Sequence, residues 1–170
     1  MSIKRRTFMG ASAAGLAAAG ALATPALAQS QPRFKWRLTS SFPRSLDTIY
    51  GTAQMFARYV SEATDGAFEI NTFPAGEIVP GLQALDAVST GAVECAQTAT
   101  YFYTGKDTAL AFGTGVPFGF NSRQQHSWWF FGGGAEIING VLAKYKVTSI
   151  PMGNSGCQMG GFFRKELNDL

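Results

Sequence analysis

The sequence predicts an α/β fold built on a parallel sheet. Three observations carry that prediction. Strand and helix signatures alternate through residues 34–98 with short links between them. The third of those strands mixes Val93, Cys95 and Ala96, a composition that suits burial on both faces. Apolar residues make up 46% of the 170 against 15% charged, which provides a core and excludes a disordered chain.

Residues 1–28 read as an export signal. Lys4, Arg5 and Arg6 precede an apolar run from Ala11 to Ala23 and a small-x-small site at Ala26 and Ala28. Arg5-Arg6 followed by Thr7-Phe8-Met9 resembles the twin-arginine signal. The alternative is a retained anchor, since the wider apolar stretch around Ala11 to Ala23, about 18 residues, reaches the lower limit for spanning. Weak hydrophobicity and the Ala-Leu-Ala exit favour cleavage, with a mature chain starting near Gln29 in a bacterial periplasm.

Phe34 to Thr39 alternates apolar and polar residues, a strand signature ended by Pro43. Asp47 to Ala63 carries Ile49, Met55, Phe56, Tyr59 and Val60 at helical spacing, with Asp47 placed to cap the N-terminus. Asp65-Gly66 predicts a turn, and Ala67 to Phe73 a second strand. Pro80 opens a helix over Gly81 to Thr90, with Leu82, Leu85 and Val88 inward and Gly91 closing it. Val93 to Thr98 is the third strand. An aromatic loop follows at Tyr101-Phe102-Tyr103. Helices over Ser122 to Phe131 and Ala135 to Tyr145 are separated by Gly132-Gly133-Gly134. Further strands are predicted over 147–152 and 161–165. The acidic-polar stretch before Leu170 looks like the start of another element, so the sequence reads as part of a longer protein.

Charge excludes one partner class. The formal +3 comes wholly from Lys4, Arg5 and Arg6, and without them basic and acidic residues balance. A nucleic-acid binder needs a standing basic surface. Catalytic sets are also missing. The single histidine, His126, has amide, serine and tryptophan neighbours and no carboxylate at helical spacing before Glu136. One histidine and two cysteines are too few for a zinc site, and Cys95 and Cys157 read as free thiols more readily than as a disulfide. Gly113 to Gly119 and Gly132 to Gly134 depart from phosphate-loop spacing and read as bends. Binding is therefore favoured over catalysis. The rival is a periplasmic enzyme exported with a cofactor, supported by the twin-arginine pair alone.

Three features could line a ligand cavity. Tyr101 and Tyr103 follow the carboxyl end of a strand, where open α/β sheets hold ligands, although the same rings could pack a core. Gly153 to Gly161 combines dense glycine with Asn154 and Gln158, as a ligand-contacting crossing, a hinge or an ordinary loop would. Arg164 stands among Phe162 and Phe163, where a guanidinium can hold a carboxylate bidentately or simply sit on the surface.

Several segments resemble the DctP-type solute receptors of TRAP transporters. They are Ser40-Ser41-Phe42-Pro43, Pro74-Ala75-Gly76-Glu77-Ile78, Leu85 to Glu94, Tyr101-Phe102-Tyr103, Val116-Pro117-Phe118-Gly119 and Gly160 to Leu167. Gln158 to Gly161 and Phe118 to Trp129 look most like the branch that takes 2-oxo acids. The resemblance implies two α/β lobes with hinge strands, the first lobe at 29–152 and the hinge and start of the second at 153–170. It implies a binding protein and no enzyme, with Arg164, Gln158, Tyr101, Tyr103 and Asn154 toward a small carboxylate. It further implies that Gln158 helps hold a sodium ion, that TRAP permease membrane subunits are the partners, and that the full-length protein forms a homodimer. Members are about twice as long and carry a later carboxylate-binding arginine. The 170-residue chain alone is accordingly expected to bind weakly or not at all.

Overall fold

The computed structural model describes residues 32–156, 158, 161 and 163–166. The signal-peptide expectation for residues 1–28 lies outside the described residues. From Arg33 onward the chain clusters as one compact unit. Three strands form a parallel sheet in the order β2-β1-β3, with β1 at Phe34–Ser40, β2 at Phe68–Phe73 and β3 at Cys95–Gln97. Phe34 stands opposite Phe68 and Leu38 opposite Cys95, so all three carboxyl ends emerge along one edge.

Helix α1, Asp47–Ala63, has the predicted bounds. It turns Tyr50 and Ala53 inward and packs Phe56, Ala57 and Val60 over Leu38 and Ile70. Met55 and Tyr59, two of the apolar positions at helical spacing, are about half exposed. They lie one position off the stripe that a 3.6-residue period presents to the sheet. Asp47 is not the cap either. Leu46 takes that position without a side-chain bond, and Asp47 receives the Thr48 N–H at 2.7 Å inside the first turn. Its charge there still complements the helix dipole.

The next helix is split. Gly81–Gln83 forms a 3-10 turn, and α2 runs Ala84–Ser89. Leu82 is 65% exposed rather than inward, because the tighter turn rotates it away. The buried positions are Ala84, Leu85 and Ala87. Strand β3 is shorter than predicted. Ala92 and Val93 donate their N–H groups to Ala87 O after the positive-φ turn at Gly91, so the end of α2 consumes residues the pattern assigned to the strand.

A second core gathers Leu85, Tyr103, Leu110, Trp129, Ile138 and Leu142. It is roofed by α3 at Ser122–Phe131 and α4 at Gly134–Leu142, the latter ending in a 3-10 turn over Ala143–Tyr145. Asn121 and Gln124 form a reciprocal capping box at the start of α3. The glycine triplet breaks the helices as predicted. Gly133 sits at φ +83°, and a Cβ on Gly134 would lie 2.6 Å from the Trp128 indole.

Residues 147–152 are not a strand. The carboxamide of Asn139 occupies the backbone of Ser149, accepting its N–H at 2.7 Å and donating to its carbonyl at 3.2 Å. A side chain thus fills the place of a pairing strand. The segment crosses from the second core, where Val147 packs, to the first, where Met152 packs. At 161–165, Arg164 and Lys165 form a bend, and the described residues there hold no strand.

Candidate functional site

The carboxyl edge of the sheet is the place where an open α/β layer offers ligands strand ends and loop backbone. Here it is knit by polar side chains. Ser40 Oγ donates to Gln97 Oε1 at 2.8 Å, and Gln97 Nε2 donates to Ile49 O at 2.6 Å and to Thr52 Oγ1 at 2.8 Å. Gln97 is 7% exposed, and its bonds tie β1 and β3 to the first turns of α1. Ser41 Oγ lies 2.6 Å from both Gly81 O and Thr98 Oγ1, and Thr98 Oγ1 lies 2.8 Å from the Tyr103 hydroxyl. Ser40, Thr52, Gln97 and Thr98 escaped sequence reasoning. The available signal was a cluster of hydroxyl and amide residues just where strands end.

The candidate residues separate into two groups. Tyr101 and Tyr103 share the 3-10 turn Thr100–Tyr103. Tyr101 is half-buried, edge-on to Phe102 at 4.6 Å, and Phe102 rests on Phe42 at 5.9 Å. Tyr103 is 3% exposed within the second core, so its ring packs rather than facing open space. Asn154, Gln158 and Arg164 are all exposed. Asn154 Oδ1 accepts the Gly156 N–H at 3.1 Å, and Gln158 Nε2 donates to Ser155 Oγ at 3.2 Å. Gly153 begins this run beside α1, with Thr52 Cγ2 3.5 Å from its Cβ position. Thr52 in turn belongs to the Gln97 network. Among the described residues, no hydrogen bond joins Tyr101 to Asn154, Gln158 or Arg164.

Arg37, Arg44 and Arg58 are paired with Glu94, Glu77 and Glu62 at 2.9, 3.4 and 3.5 Å. Arg164 has no carboxylate partner among the described residues. The Arg37 guanidinium, with the Arg37 N–H, holds the Glu94 carboxyl down at about 2. Burial pushes the Cys95 thiol up to about 11, which makes it a poor nucleophile. Cys157 lies outside the described residues. His126 stacks on Phe130 at 6.4 Å on α3. No set of three or more His, Cys, Asp or Glu residues arranged to hold a metal occurs among the described residues.

Two open grooves lie elsewhere, along the outer face of α1. One of about 430 Å³ runs from Asp47 to Arg58. Another of about 290 Å³ is lined by Met55, Tyr59 and Ile150, among others. Neither takes in a candidate ligand residue.

A bound cation would require oxygen donors. Gln158 fits that need in kind: its amide N–H is engaged with Ser155, and its Oε1 accepts no hydrogen bond among the described residues. It would supply one neutral donor of the several that a sodium ion needs.

The chain was compared with known proteins. Residues 39–170 match the family model for bacterial extracellular solute-binding protein, family 7, DctP. A monocarboxylate 2-oxoacid-binding periplasmic protein from Nostoc sp. is 50% identical over 82% of this chain and 38% of its own length. A TRAP transporter solute-binding protein from Bordetella bronchiseptica is 48% identical over 79% of this chain and 40% of its own, with a TM-score of 0.76. That structure is a mixed-occupancy dimer with copurified calcium and picolinate. A TRAP periplasmic solute-binding protein from Pseudoalteromonas atlantica, with bound sodium and pyruvate, is 34% identical over 80% of this chain and 41% of its own, again at 0.76. The chain thus spans about two fifths of the length of these relatives. These relatives are solute-binding proteins, which supports binding over the enzyme rival. Among the described residues, no helix is long and apolar enough to cross a membrane. On the family match and the parallel α/β sheet together, the chain belongs to the DctP family of extracellular solute-binding proteins.

Proposed function

We propose that this chain supplies the first lobe of a periplasmic receptor that captures a small 2-oxo carboxylate and passes it unaltered to the membrane subunits of a TRAP permease. Residues 29–152 form the lobe, and 153–170 carry the hinge and the start of the second. Arg164 pairs with the carboxylate through its two parallel N–H donors. Tyr101 excludes water from that pair, which strengthens it. Asn154 supplies an amide, and Gln158 contributes one oxygen to a sodium ion beside the ligand. Tyr103 acts from behind, inside the core. The longer receptor pairs as a homodimer.

The observation that carries the reading is the placing of Arg164, exposed and without a carboxylate partner among the described residues, just after the glycine-rich run that holds the exposed amides of Asn154 and Gln158. Arg33 and Arg123 are also exposed and without such a partner among the described residues, but they lie away from that run in sequence. The pyruvate bound by the Pseudoalteromonas relative supports the ligand class. Titration of the longer, two-lobed receptor that contains this chain with sodium pyruvate, followed by amide resonances, tests it. The expected result is saturable shifts gathered at Tyr101, Asn154, Gln158 and Arg164. Shifts that are absent, or scattered over the surface, defeat the reading.

A further inference from the structure

Five groups from three stretches of the chain meet behind the Tyr101 turn. Leu85 N–H donates to the Tyr103 hydroxyl at 3.2 Å, the Tyr103 and Thr98 hydroxyls are 2.8 Å apart, Thr98 and Ser41 are 2.6 Å apart, and Ser41 lies 2.6 Å from Gly81 O. A hydroxyl has one proton to give. Gly81 O can only accept, so the Ser41 proton goes there, Thr98 donates to Ser41, and Tyr103 donates to Thr98. Each hydroxyl then gives one bond and receives one. The Leu85 N–H is an unpartnered donor of the first turn of α2, and the tyrosine satisfies it.

Two consequences follow. The loops after β1 and β3 and the entry to α2 are locked in one register at the carboxyl edge of the sheet. Ser41 and Thr98, although placed where ligand hydroxyls are commonly sought, have no proton left for a ligand. The approach is close: a Cβ on Gly81 would lie 2.6 Å from Ser41 O.

We infer that Tyr103 is a positioning residue, whose hydroxyl fixes the turn that presents Tyr101 through the Thr98-Ser41-Gly81 relay and touches no ligand itself. The inference rests on the receptor reading above. The test uses the longer receptor that contains this chain, with the pyruvate midpoint read at the Arg164 amide and the melting temperature measured alongside. Tyr103→Phe should raise the midpoint about fivefold, the worth of one hydrogen bond. Thr98→Val should do the same, and Thr98→Ser, which returns the hydroxyl, should recover it. The Tyr101 amide should move in the two weakened variants without pyruvate present. If Tyr103→Phe or Thr98→Val lowers only the melting temperature, or Thr98→Ser binds as poorly as Thr98→Val, positioning is overturned and the receptor reading stands. If the unaltered longer receptor shows no response to pyruvate, the receptor reading falls and takes this one with it.

Discussion

Glu94 and Arg37 are bound by two side-chain contacts, at 2.9 and 3.2 Å, and by the Arg37 N–H at 2.7 Å. Because the carboxyl is held down, the folded state binds its proton less readily than the unfolded chain does. The pair therefore stabilises above pH 4.5, and its contribution fades as pH falls toward about 2. Melting curves of Glu94→Gln and the parent should differ most above pH 4.5 and converge near pH 2. A second expectation concerns Gly81. Gly81→Ala forces a methyl against Ser41 O and should cost about 1–3 kcal/mol in urea unfolding. At this scale the sequence was partly legible. Arg164 stood out by its apolar neighbours and Gln158 by its glycine-rich run and the family resemblance, yet Tyr101 and Tyr103 looked alike. The 3-10 turn sends one into the core and leaves the other half-buried, and that turn depends on residues far off in sequence. Gln97 went unnoticed for the same reason, since its partners lie 45 to 57 positions away.

Among the elements, periodicity located α1 and α3 to the residue, because each carries its own amphipathic or capping signal. Strand β3 was drawn too long. The composition of Val93 and Glu94 suits a strand, but the exit from α2 claims that stretch through bonds to Ala87 O. The segment 147–152 failed for a different reason. Alternation predicts extended backbone, which it has no strand to pair with, and Asn139 substitutes one amide for a ladder. Asn139→Ala should release the Ser149 amide to faster hydrogen exchange and cost about 1 kcal/mol of stability. Unchanged protection at Ser149 would show that the clamp is incidental.

At the scale of the fold, the parallel sheet puts the carboxyl end of each of its three strands on one edge, and the 147–152 crossing links the two cores before it enters the glycine-rich run. Strand-helix alternation sufficed to forecast the sheet. The proposed site was harder, because its candidate residues come from two separate segments, the turn Thr100–Tyr103 and the run after Gly153, that no local pattern relates. Net neutrality beyond residue 28 fits capture by local complementarity and not by a broad field. The most direct measurement is the Arg164 guanidinium N–H resonance on adding pyruvate or its methyl ester in sodium buffer, with the pyruvate signal integrated throughout. Charge pairing predicts a saturable downfield shift with the acid, none with the ester, and pyruvate recovered intact. An equal response to the ester, or loss of pyruvate over time, would contradict capture of an anion without chemistry.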